Sequence, residues 1–145
     1  MSNPRYSWWG YVKSMIRKYP ERKEHLASLH EVSLTSSLTG IPHGSKLSDP
    51  TANIALKQLP FNVQREFDAV DKAIQATKRF RDGSDRLKLI RLVFWDKSHT
   101  ISGAAMQIPC SYDTAQNWHC EFIRLTALNY GLLSLEEYEK YKKFT

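Results

Sequence analysis

Polar side chains that could read DNA bases recur along residues 111–124. Asn and Gln amides can make paired hydrogen bonds to the edge of adenine in the major groove. A hydroxyl at a helix start, beside free backbone N–H groups, can hold a phosphate. If this segment is helical, the face opposite its apolar residues presents a candidate DNA-reading set: Ser111, Tyr112, Asp113, Gln116, Asn117, Cys120 and Arg124.

Two capping signals predict the helices that position these side chains. Thr100 can cap a short helix over residues 101–108. Ser111 can cap a longer helix over residues 112–130, and Gly131 suits the left-handed position after its end. Two helices joined by so short a turn, the second one longer, predict a helix-turn-helix.

The spacing of small and large residues supports this prediction. Ala105 provides the small residue that a close crossing of two helices requires, and Pro109 follows four positions later at the turn. Ala115 and Trp118 lie six and nine positions after Pro109, where the second helix must face the core. A helical hairpin without a DNA role is the alternative that this spacing leaves open.

The basic residues lie mostly outside this segment. The chain carries 21 Lys+Arg and 15 Asp+Glu, a net charge of +6, but residues 99–145 contribute only 4 basic side chains against 5 acidic ones. DNA affinity depends largely on Lys and Arg that neutralise phosphates. We therefore expect contacts to the DNA backbone from residues just upstream of the reading set: Arg86, Lys88, Arg91, Lys97 and Thr100.

The rest of the chain also has a helical pattern, and no stretch alternates in the manner of a β-strand. Prolines at positions 20, 50 and 60 divide the pattern. The predicted helices cover residues 7–19, 20–32, 60–79 and 85–95, a further helix opens at residues 49–50, and residues 33–49 predict a loop. We predict an all-α fold with a helical N-terminal segment and linker at 1–48 and a helix-turn-helix DNA-binding domain at 49–145.

Two apolar features favour partner binding instead. Trp9 falls off the apolar face of the first helix and could anchor a partner. A heptad-like series predicts a core face, with a dimer surface as the alternative: Val63, Phe67, Val70, Ile74 and Thr77. These features keep a helical protein–protein adaptor open as a second function, and they leave the oligomeric state open.

The sequence gives little support for catalysis, metal binding or membrane insertion. Its five histidines and two cysteines show none of the spacings of a zinc site, and it has no Gly-rich phosphate loop. No apolar run approaches the ~20 residues that span a bilayer, and the N-terminus lacks a signal-peptide pattern. We expect a cytoplasmic protein with reduced cysteines that is not an enzyme and uses no metal and no cofactor.

Four stretches resemble one family of regulators. They are YSWWGYVKSMIRKYP (6–20), NIALKQLPFNVQREFDAVDKAI (53–74), DRLKLIRLVFW (85–95) and HTISGAAMQIPCSYDTAQNWHCEFIRLTA (99–127). They resemble the RinA/ArpU-like regulators of phages and prophages in Gram-positive bacteria.

The resemblance implies a transcriptional activator of late phage genes. Its C-terminal half would be similar to region 4 of a bacterial sigma factor, the part that reads the −35 promoter element and touches the polymerase. The implied partners are double-stranded promoter DNA and host RNA polymerase. On this chain the implied helix-turn-helix covers residues 100–128, with residues 111–124 as the reader. A phage DNA-packaging subunit without a transcriptional role is a further alternative.

Overall fold

A computed structural model describes the backbone of residues 6–38 and 59–142, with side chains for residues 6–29 and 59–141. Every regular element in these ranges is helical, so the all-α prediction is confirmed for the described part of the chain. No helix in that part is long and apolar enough to cross a bilayer. The predicted helix opening at residues 49–50 and the boundary between the two predicted segments lie outside the described residues.

Six helices and one π-helical turn follow one another in the described ranges. They are α1 (Trp9–Leu38), α2 (Phe61–Lys78), α3 (Gly83–Ile90), the π-helical turn (Arg91–Trp95), α4 (Ile101–Gln107), α5 (Tyr112–Tyr130) and α6 (Leu135–Lys142). The helix α5 contacts α1, α2, α3, α4 and α6. It is therefore the element against which the others are positioned.

The helix α1 continues through Pro20, so the prediction of two helices meeting there was wrong. It also extends to Leu38, which overturns the predicted loop from residue 33 to residue 38. Proline has no N–H, so the Ile16 carbonyl one turn earlier loses its helical donor. The indole Nε1–H of Trp95 donates to that carbonyl at 2.8 Å and replaces the missing bond.

The main core forms where α1, α2 and α5 meet. Ile16 of α1, Val70 of α2 and Ile123 of α5 are fully buried in one apolar cluster. Ile74 and Thr77 of α2 are buried as well, so the heptad-like series is a core face, as predicted. Burying a side chain of this size contributes about 1.5–3 kcal/mol.

The helix α3 begins two residues earlier than predicted, at a close approach between two helices. A Cβ atom on Gly83 would collide with the backbone oxygen of Thr77, so glycine is required against the end of α2. The helix predicted over residues 85–95 is α-helical only at first and then widens into the π-helical turn. The Asp96 N–H closes that turn by donating to the Arg91 carbonyl at 2.7 Å.

Candidate nucleic-acid interface

The helices α4 and α5 are capped by the two hydroxyls that the sequence predicts. Thr100 Oγ1 accepts a hydrogen bond from the Gly103 N–H at 3.1 Å. Ser111 Oγ accepts one from the Thr114 N–H at 3.1 Å. Gly131 follows α5 in the left-handed conformation, with a φ of 100°. The predicted caps and the predicted bounds of α5 are thus confirmed, and α4 ends one residue before its predicted end.

Small residues allow α4 to lie close against α5. Ala105 and Ala115 are buried in one apolar cluster with Leu89 of α3. The Cys110 N–H donates to the Ala105 carbonyl at 3.0 Å and closes the turn between the two helices. Trp118 was expected to be the large core residue of α5, but it is half-buried at the edge of this cluster. The alanines therefore hold α4 and α5 together as one unit.

The accessible part of the predicted reading set lies on the first two turns of α5. Tyr112 is 51% exposed, and Ser111, Asp113 and Asn117 are exposed too. Gln116 is half-buried, with its Oε1 atom buried against the protein. A Gln116 contact to a base therefore requires a change of rotamer, whereas the Asn117 amide already faces outward.

The predicted exposure of Cys120 and Arg124 was wrong. Cys120 is 3% exposed and Arg124 is 7% exposed. For Arg124 the cause is α6, which packs against α5 and places the Tyr141 ring 5.1 Å from the guanidinium. The candidate reading surface is therefore confined to the N-terminal half of α5, and it contains no arginine from that helix.

Arg86 was expected to contact the DNA backbone, but the protein itself uses its hydrogen-bond donors. Its Nε donates to Asp82 Oδ1 at 2.8 Å, and its Nη1 donates to Glu121 Oε2 at 2.7 Å. Its guanidinium lies 4.5 Å from the centroid of the Phe80 ring. With 18% of its side chain exposed, Arg86 connects α3 to α5. The predicted phosphate contact is therefore replaced by a structural role.

The other four backbone candidates lie in two separate places. Lys97 and Thr100 are exposed at the start of α4. Lys88 and Arg91 are exposed as well, but they line a groove between α1, α2, α3 and the π-helical turn. Arg86 and Lys88 are two residues apart, or about 200° around a helix. Because Arg86 faces α5, Lys88 points away from it.

Two cations outside the predicted interface lie near α5. Lys13 and Arg17 are four residues apart on α1, and their charges act on His119 of α5. Burial, and then these two charges, lower the pKa of His119 to about 4. The His119 ring stacks on Phe94 with 5.1 Å between the centroids. The four-residue spacing was visible in the sequence, but the packing of α1 on α5 was not.

Comparison with family models, with curated proteins and with solved structures finds no match to this chain. In the described part of the chain, no three His, Cys, Asp or Glu side chains lie together as metal ligands do. A nucleic-acid role for α5 therefore depends on the geometry of α4 and α5 and on the sequence resemblance.

Proposed function

We propose that this protein is a sequence-specific DNA-binding transcription activator, encoded by a phage or prophage, which recruits host RNA polymerase to late genes. In this proposal α4 and α5 form a helix-turn-helix similar to sigma region 4, and α5 enters the major groove. The observation that carries the DNA-binding part is the exposed N-terminal half of α5 beyond a close, capped pair of helices. The phage and polymerase parts depend on the resemblance to RinA/ArpU-like regulators.

The residues that remain for base reading have complementary chemistry. The Asn117 amide can both donate to and accept from adenine, and the Asp113 carboxylate can accept from the N4 amino group of cytosine. The backbone N–H groups at the start of α5 can bind a phosphate beside these bases, and the Ser111 hydroxyl, which donates to Thr114 Oγ1 at 2.8 Å, can rotate to join them. We therefore replace the original reading set with Ser111, Tyr112, Asp113 and Asn117, and Gln116 joins it after a rotamer change.

Few cations are available to support this contact. One such cation is Lys97, which lies with the neutral Thr100 hydroxyl at the start of α4, where a helix-turn-helix crosses the DNA backbone. Lys13 and Arg17 add positive charge near α5. Since non-specific affinity depends on the number of phosphates neutralised, we expect weak binding by the protein alone and tighter binding in the presence of polymerase.

Binding-site selection from random duplex DNA tests the proposal, with and without host RNA polymerase. We expect an enriched motif, and fluorescence anisotropy then measures affinity for it between about 50 and 200 mM salt. Asn117→Ala should weaken binding to the motif by about 5- to 150-fold and relax the preference at one position. Asn62→Ala, which changes an exposed asparagine on α2, should leave binding unchanged. Lys97→Gln should weaken all duplexes alike and reduce the salt slope by about 1.

Two outcomes would reject the proposal. Absence of any enriched motif, both with and without polymerase, would reject sequence-specific DNA binding. A selected motif that fails to activate a reporter gene would instead favour a DNA-packaging subunit.

The adaptor alternative is weakened by the packing of the two surfaces that suggested it. The α2 series is mostly core. Trp9 is half-buried, with its ring 6.2 Å from that of Tyr6 and 5.9 Å from that of Trp8. Neither surface is free to serve as a large apolar anchor.

A further inference from the structure

A basic groove lies on the side of α3 away from α5. It has a volume of about 440 Å³ and receives one cation from each of four elements: Lys23 of α1, Lys78 of α2, Lys88 of α3 and Arg91 of the π-helical turn. Its floor is formed by Tyr19, Ile74, Leu87 and Trp95. Among the described residues that line it there is no carboxylate. The groove thus combines an apolar floor with a rim whose charged side chains are all positive.

The position of the groove separates it from the candidate reading surface. Arg86 on the same helix is bonded to Glu121 of α5, and Lys88 points about 200° away from Arg86. A duplex that lies against the first turns of α5 therefore meets the opposite side of α3. The groove cations are not placed to neutralise the phosphates of that duplex.

The floor of the groove fits apolar side chains better than stacked bases. Tyr19 already stacks on Phe67 at 5.0 Å and on Trp95 at 5.8 Å between ring centroids. Its hydroxyl donates to Asp71 Oδ1 at 2.8 Å. Single-stranded nucleic acids need free aromatic faces for stacking, and the faces of Tyr19 are used within the protein. Aliphatic or aromatic side chains of a peptide need only contact with the floor.

We propose that this groove docks an acidic amphipathic segment of a partner protein. The apolar side chains of the segment would lie on Leu87, Ile74 and Trp95, and its carboxylates would pair with the four rim cations. An amphipathic helix in a hydrophobic groove is a common mode of peptide recognition, and complementary charge selects the partner. Arg91 is available for this role because its pair with Asp96 is long, at 3.7 Å, and both side chains are half exposed. The proposal does not depend on DNA binding by α5.

A labelled peptide of about 18 residues, with Leu and Phe at helical spacing among Glu residues, is a suitable probe. Fluorescence anisotropy measures its binding to the full chain, beside a scrambled peptide of the same composition and a peptide with Lys in place of Glu. We expect saturable, salt-sensitive binding of the patterned acidic peptide alone. Lys88→Glu with Arg91→Glu should weaken it at least about tenfold. Leu87→Ala, which removes apolar surface from the floor of the groove, should weaken binding of the acidic peptide about fivefold.

The matched control reverses two exposed cations elsewhere, Lys18→Glu with Lys140→Glu, and it should change peptide affinity by less than about twofold. Circular dichroism melts verify that each variant is folded. Equal binding of the patterned and scrambled peptides, or of wild type and the groove variant, would overturn the proposal. A groove variant that loses duplex DNA affinity as strongly as peptide affinity would also overturn it and assign the groove to nucleic acid. Asn117→Ala, which should weaken recognition of the selected DNA motif, should still bind the peptide. Either proposal can therefore fail without the other.

Discussion

We expect the burial of His119 to make the stability of this protein sensitive to mild acid. The side chain is 6% exposed and stacks on Phe94. Burial is the main cause of its lowered pKa, and the charges of Lys13 and Arg17 add to it. The folded protein therefore holds a neutral imidazole, and protonation would place a positive charge in the core, within reach of the more exposed charges of Lys13 and Arg17.

The size of the effect follows from the two pKa values. An unfolded histidine protonates near pH 6.5, and His119 in the folded protein does so only near pH 4. Between these values the unfolded chain binds one more proton at this site, so the free energy of unfolding falls as the pH falls. At about 1.4 kcal/mol per pKa unit, the loss is about 3 kcal/mol between pH 6.5 and pH 4. That is a large share of the usual 5–15 kcal/mol for a domain.

Urea titrations followed by circular dichroism, at about pH 7, 6, 5 and 4.5 and constant ionic strength, measure this loss. Other groups titrate in the same range, so the difference between wild type and His119→Phe isolates the site. We expect the variant to lose less stability than wild type on acidification. Arg17→Gln should reduce the wild-type loss only in part, because burial is the larger cause.

Two results would refute this reasoning. One is an equal pH dependence for wild type and His119→Phe. The other is a His119 imidazole resonance in the folded protein that titrates near pH 6.5, which would show that the ring is open to protonation without unfolding.

Further stability predictions concern the Pro20 contact and the end of α5. Trp95→Phe removes the donor to the Ile16 carbonyl and should lower the free energy of unfolding by about 1–3 kcal/mol. In a Pro20→Ala background the new N–H supplies the helical bond, so urea titrations should show a smaller loss for the same Trp95 substitution. Equal losses in the two backgrounds would contradict the proposed compensation of Pro20 by Trp95. Gly131→Ala should cost about 1–2 kcal/mol in urea unfolding because φ is 100° there. Gly10→Ala, where a Cβ meets nothing within 4 Å, should instead stabilise by about 0.5–1 kcal/mol, and a loss at that position would count against the backbone argument.

Local chemistry was predictable from the sequence, and long-range packing was not. Thr100 and Ser111 cap their helices because a hydroxyl bonds to an N–H three residues away, and that distance is visible in the sequence. Pro20 suggested a helix end because proline lacks an N–H. The donor that compensates for it, Trp95, lies 75 residues further along the chain, so the sequence did not reveal it. Arg124 looked exposed from its position on the helix face, but α6 covers that face. The predictions at Pro20 and Arg124 failed because each depended on a partner that only the tertiary structure brings near.

The cations needed for the two proposed activities lie on different sides of α3. The sequence suggested one pool of cations at residues 86–97 serving one DNA surface. In the structure Arg86 is used between α3 and α5, Lys88 and Arg91 line the groove, and Lys97 remains at the start of α4. Because α3 separates the groove from α5, a partner segment in the groove and a duplex on α5 would not compete for the same cations. The binding free energies of the partner and of the duplex should then add, with neither changing the affinity for the other. If the partner also contacts the DNA, the DNA should bind more tightly in the presence of the partner.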